Sequence, residues 1–325
     1  MSIGAHSAGQ EDAMPMPLPL AGDLEFGFMA VATDVASARE TAEFAEFHRF
    51  DSVWTGDHMA FPLPILDPLL QLELIAAFNP RITVGTGVYL LPLRHPTLVA
   101  KQVATIDRLT GGRFIFGVGV GGEFPVEYEV CGVPVKERGA RLGEAIPILK
   151  GLWSGEAFAS DGIFYPFPEV KMLPTPVQPG GPPIWCGGRS EAALRRIGRM
   201  ADGWMSYVVA PDRYRQGLET IAAAAEEVGR RIEQLGTAHL LFAWIDDDYE
   251  RALDAATEHL SMRYAMDFRK PAQRYAALGS PAEVAAKIAE FRDAGVRHFV
   301  LDMTGPFEER DAQLERFASE VRPLL

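Results

Sequence analysis

Three short runs hold the residues best suited to chemistry: Gly56-Asp57-His58, Gly117–Glu123 and Gly187-Gly188-Arg189-Ser190. Histidine is the side chain that ordinarily gives and takes a proton near neutral pH, which makes His58 the acid/base candidate. Asp57 beside it either orients the imidazole or caps a local turn; consecutive residues of an extended segment point to opposite sides. At Gly187–Ser190 two glycines clear side chains from a helix start, Arg189 adds charge and Ser190 a hydroxyl. Such a turn reads as an anion cradle, because backbone N–H groups converge there. It reads equally as a tight strand-to-helix turn with Ser190 as N-cap. Glu123 is an acid or ligand acceptor on one reading and a solvated loop charge on the other. His95, just before Pro96, shapes a turn.

Gly117, Gly119 and Gly122 make a formal G-x-G-x-x-G. A dinucleotide turn must open directly into a helix whose N-terminus meets the pyrophosphate. Here the run continues Glu123-Phe124-Pro125, and the helical pattern returns only at about Lys136. A buried strand thus enters a glycine-rich loop, as at the mouth of an α/β barrel.

Bulk properties remove whole classes of function. The formal charge of −13 and the absence of a basic run argue against nucleic acid. Two cysteines, Cys131 and Cys186, cannot build a disulfide framework, so a reducing, cytoplasmic setting is expected. No apolar stretch reaches the roughly 18 residues that span a bilayer. Residues 1–22, with MPMPLPL at Met14–Leu20, read as a disordered or partner-packing arm rather than a signal peptide. The seven histidines form neither H-x-H nor H-E-x-x-H, so no metal site is expected. No lysine falls at a strand end, which disfavours Schiff-base chemistry, and a G-x-S-x-G elbow is missing.

The elements that must carry these residues alternate. Strands are expected at Leu24–Val31, Ser52–Thr55, Arg81–Leu90, Arg113–Val118, Ile184–Cys186, Gly203–Tyr207, His239–Ile245 and His298–Asp302, each followed by a helix. Several are near-continuous apolar runs, as in a parallel sheet covered on both faces. The pattern predicts an α/β fold, a (β/α)8 TIM barrel over residues 23–325, with a doubly wound sheet as the alternative. Ser154–Pro183 and Met262–Gly279 read as insertions at the C-terminal rim and as candidate lids. The rim aromatics Phe61, Tyr89, Phe124 and Trp204 suggest an apolar substrate unless they belong to the core.

In order, VWTGDH, VGTGVYLLPLRHP, IDRLTGGRFIFGVGVGG, ERGARLGEAIPILKGLWSGE, PPIWCGG and ADGW resemble the bacterial-luciferase-like oxidoreductases, most closely over Leu24–Tyr207. The resemblance implies a barrel binding reduced FMN or the deazaflavin coenzyme F420, its ring across the strand ends. The ring would lie beside Gly119, Gly121, Gly122 and Glu123, its phosphate on Gly187, Gly188, Arg189 and Ser190. In the deazaflavin branch a non-proline cis peptide props the ring; the matching bond is Gly87–Val88. Trp54, Asp57 and His58 match that branch's W-x-x-D-H, which favours F420, with hydride transfer to or from a small, apolar substrate. The alternative is a reduced-FMN monooxygenase served by a separate flavin reductase. A flavin-binding barrel without turnover and a phosphosugar-processing barrel are further readings. A homodimer is expected from the family.

Overall fold

The computed structural model describes residues 16–61, 64–122 and 124–325. Strand β1 (Glu25–Met29) leads to helix α1 (Val35–Phe47), then β2 (Ser52–Thr55) to α2 (Pro68–Phe78), and β3 (Thr83–Thr86) to α3 (Pro96–Leu109). After β4 (Phe114–Val118) come a short helix α4 (Pro125–Val130) and a long one, α5 (Arg138–Trp153). A hairpin of β5 (Ala157–Ser160) and β6 (Phe167–Lys171) follows. The chain continues through β7 (Ile184–Gly187), α6 (Glu191–Met200), β8 (Gly203–Tyr207), α7 (Pro211–Glu226), β9 (Gly236–Ile245) and α8 (Tyr249–Tyr264). It ends with α9 (Arg269–Tyr275), β10 (Ala277–Gly279), α10 (Pro281–Ala294), β11 (His298–Met303) and α11 (Arg310–Arg316).

Strands β11, β1, β2, β3, β4, β7, β8 and β9 pair in that order, all parallel, and β9 closes onto β11. This is the expected closed (β/α)8 barrel. β10 adds to the upper end of β9. The helices start where the sequence places stop–start chemistry. Asp34 and Ser280 close capping boxes on α1 and α10, and proline opens α2, α3 and α7.

Four expectations are corrected. Helix α4 begins three residues after Gly122, far earlier than Lys136; six residues are too few to show a periodicity. The insertion at Ser154–Pro183 carries an antiparallel hairpin rather than one strand-like run. The irregular stretch at Met262–Gly279 contains α9 and β10. The helix expected over Asp212–Gly236 stops at Glu226, ahead of Gly229 at φ 66°. Of the N-terminal arm, residues 1–15 lie outside the described residues. From Met16 the chain packs on its own barrel: Leu20 bridges Leu235, and Met16, Leu18 and Leu20 join the core.

Inward-facing side chains fill the lower barrel. Trp54 and Trp185 stack at 5.7 Å, with His298 edge-on to both. Trp54 Nε1 donates to Ser52 Oγ (2.7 Å), Ser52 Oγ pairs with His298 Nε2 (2.6 Å), and His298 Nδ1 donates to Glu25 (2.7 Å). Beside it β3 presses on β4. The Thr86 carbonyl occupies the place of a Gly117 Cβ, and Thr86 Oγ1 donates to the Gly117 carbonyl (2.7 Å).

Gly117→Ala is therefore expected to force backbone apart and cost about 2–3 kcal/mol. A thermal or urea melt checks this; an unchanged midpoint would mean that β3 and β4 separate freely.

Candidate active site

Above the tryptophan layer the barrel is closed by Met29, Met205 and Val88, which pack on that cluster. The Gly87–Val88 peptide, just past β3, is cis. The Val88 side chain lies where a Gly119 Cβ would sit, and a Gly187 Cβ would come within 3.1 Å of it. A Cβ at Gly87 would meet Met205 at 2.8 Å. Glycine at these inward positions thus leaves a shallow apolar floor at the C-terminal mouth of the barrel.

His58 lies on the loop after β2, at the same C-terminal mouth. Its Nδ1 lies 3.1 and 3.3 Å from the two carboxylate oxygens of Glu127, which is 1% exposed. The same carboxylate accepts the backbone N–H of Met59 (2.7 Å) and Ala60 (3.3 Å). The imidazole is stacked on Phe61 at 4.2 Å and meets Phe124 edge-on at 5.6 Å. A carboxylate on Nδ1 fixes the proton there and leaves Nε2 as the acceptor. Among the described residues nothing bonds Nε2.

Asp57 does not orient His58. It points the other way, where it is buried and accepts Leu90 N–H (2.8 Å) and both terminal nitrogens of Arg94 (2.5 and 2.9 Å). Arg94 in turn lies 4.3 Å over the Tyr89 ring. Asp57 therefore ties the loop after β2 to the turn after β3. The orienting residue, Glu127, was missed because α4 was missed. Its signal is an acid at the third position of a proline-initiated turn, four residues past Glu123. Glu123 itself lies outside the described residues.

Gly187–Ser190 joins β7 to α6 at the same mouth. Ser190 caps α6, its Oγ accepting Ala193 N–H at 3.3 Å, and Gly188 has a φ of 121°. Trp204 Nε1 donates to the Gly188 carbonyl (2.8 Å), which holds the turn. The Arg189 guanidinium lies 5.0 Å over Tyr207. Gly121 and Gly122 sit past β4 with φ of 51° and 108°; a Cβ at Gly121 would meet Leu90 at 2.8 Å. They shape the loop between the floor and α4. Tyr89 and Trp204 are core residues at 1% exposure, whereas Phe61 and Phe124 flank His58. His95 caps α3 through Thr97.

The chain matches the luciferase-like monooxygenase family over residues 21–298. It belongs to that family. This luciferase-like chain is an oxidoreductase, and its relatives divide between two cofactors. An F420-dependent glucose-6-phosphate dehydrogenase of Nakamurella multipartita is 28% identical over 333 residues, 93% of this chain and 96% of that protein. The oxygenase component of a flavin-dependent trigonelline monooxygenase of Acinetobacter baylyi is 33% identical over 153 residues, 46% of this chain and 42% of that one. The barrel superposes on an F420-dependent secondary alcohol dehydrogenase with a TM-score of 0.81 at 21% identity, covering 93% and 100% of the two chains. No helix among the described residues is long and apolar enough to cross a membrane.

The luciferase-like barrel holds its mouth together through Asp57 and Arg94. Asp57→Asn leaves Arg94 a poorly paired, largely buried cation and is expected to cost about 3 kcal/mol. Adding Arg94→Met should recover part of the loss. Urea melts of the two variants decide; equal midpoints for wild type and Asp57→Asn would contradict the tie.

Proposed function

We propose that this luciferase-like protein is an F420-dependent oxidoreductase that moves a hydride to or from a small, apolar organic substrate. The observation that carries the reading is the Glu127-oriented His58, its Nε2 unbonded among the described residues, on the barrel mouth that also carries the Val88–Met29–Met205 floor. An apolar floor cleared by glycine suits a flat ring. The turn Gly187–Ser190, at the N-terminus of α6, suits a phosphate. Gly87, Val88, Gly119, Gly121 and Gly122 would line the ring, and Gly187, Gly188, Arg189 and Ser190 would hold the phosphate. The deazaflavin supplies two-electron chemistry when bound, taking or giving a hydride. His58 Nε2 takes the hydroxyl proton as a carbinol is oxidised and returns it in the opposite direction. Glu127 favours the imidazolium formed in that step, and Phe61 and Phe124 keep water from it.

F420 is favoured because the dehydrogenase relatives match along nearly the whole chain, whereas the trigonelline monooxygenase matches over less than half. That shorter match supports the second reading: a reduced-FMN monooxygenase with a separate reductase. There the hairpin β5–β6 and the segment α8–α9 would close a dry site. The protein would act as a homodimer, as the resemblance to its family implies.

Parallel titration with F420 and with reduced FMN, while oxygen uptake is followed, tests the reading. Binding of F420 without oxygen uptake is expected. FMN binding with uptake would transfer the assignment to the monooxygenase. Binding of neither, with tight binding of a phosphorylated sugar, would return the phosphosugar reading.

His58→Ala is expected to slow single-turnover oxidation by about 100-fold or more and leave cofactor affinity unchanged. Glu127→Gln should give a smaller loss in the same rate. Unchanged rates in both would remove His58 from the chemistry; loss of cofactor binding alone would make the pair structural.

A further inference from the structure

Opposite the glycine floor the barrel wall carries a charged pair that the proton-transfer scheme does not use. Asp302 lies two residues above Val300 and four above His298 on β11. Val300 packs with Trp54 and Trp185, and His298 bonds Ser52, so this face of β11 points into the barrel. At the top of that face, Asp302 receives Arg263 of α8 on both oxygens: Nη1 to Oδ2 at 2.5 Å and Nη2 to Oδ1 at 3.2 Å. Arg263 Nη2 also reaches His259 Nε2 at 2.8 Å, which makes that imidazole a neutral acceptor. Burial and the neighbouring guanidinium hold His259 below its ordinary range, in keeping with that role. Phe242, paired with Asp302 across β9 and β11, lies under the guanidinium at 6.0 Å. The side chains of Arg263 and Asp302 remain 27% and 13% exposed.

Arg263 neutralises Asp302, on which Arg310 also acts, yet hydrogen-bonding capacity is left over. A carboxylate offers about four lone-pair sites and a guanidinium five N–H groups, and the bonds to Asp302, His259 and Tyr264 leave part of both sets free. A hydroxyl or carbonyl can use that surplus without disturbing the pair. An anion cannot: it meets the Asp302 charge, and winning Arg263 from it would strand a largely buried carboxylate.

We propose that the Arg263–Asp302 pair is a substrate-recognition site that takes an uncharged hydroxyl or carbonyl group, remote from the reacting carbon, and turns away carboxylated or phosphorylated compounds. This rests on the oxidoreductase reading for its purpose, but the site itself is part of the protein without cofactor.

Saturation-transfer NMR on the full chain, with and without F420, tests it with cyclohexane-1,4-diol and 4-hydroxycyclohexanecarboxylate, which differ in the remote group. Wild type is expected to bind the diol at least tenfold more tightly. Asp302→Asn exposes the Arg263 charge and should reverse the preference. Asp302→Asn combined with Arg263→Met removes both charges and should bring the ratio near one; it also serves if the single variant does not fold. Failure of wild type to bind the diol, equal binding of the two compounds, or an unchanged ratio in the folded variants overturns the proposal. Failure of F420 alone to bind, with the diol preference intact, overturns the cofactor reading and leaves this site standing.

Discussion

The contact of β3 with β4 is the constraint on which the barrel mouth depends. Thr86 and Val88 occupy space that belongs, in an ordinary barrel, to side chains of the next strand. Gly117 and Gly119 give up that space. Gly187 gives up more on the following strand, so the Val88 side chain is seated between β3, β4 and β7. Interiors are packed densely enough that one methyl at either position would move backbone or drive Val88 into the mouth. The apolar floor therefore follows from close packing, and the glycine-rich run after Arg113 is chiefly a packing feature. It resembled a pyrophosphate turn because both uses demand the absence of Cβ atoms.

Two buried carboxylates stand on the rim, and their environments separate them. Asp57 faces a permanent cation, Arg94, and a backbone N–H of the next loop. It is fully engaged in joining two loops. Glu127 faces backbone N–H groups and an imidazole, a partner that is charged only when it has taken a proton. Buried carboxylates must be satisfied by donors of some kind. Which donors they find separates the two: one carboxylate joins two loops, and the other holds the His58 imidazole.

Much of this was legible in the sequence. The eight strands declared themselves through apolar runs followed by helical periodicity, and His58 and Gly187–Ser190 fall just past strand ends, as the sequence expected. The sequence left Asp57 two roles, and the alternation of neighbours in an extended segment already pointed to the one the structure shows, a tie to the turn after β3. Glu127 could not be read at all without α4. A six-residue helix shows no repeat, and the contact with His58 spans 69 positions. Asp302 was legible as the end of the eighth expected strand, but its pairing with Arg263 was not, since that needs α8 to fold back over β11.

A crystal structure of the chain with F420 bound tests the central claim most directly. The account predicts the ring on Val88 and Met29, with His58 Nε2 beside its reacting edge. It predicts a phosphate about 3 Å from backbone N–H groups of Gly188–Ser190. A ring seated instead against Phe242 and Asp302, or a phosphate held away from the start of α6, would contradict it.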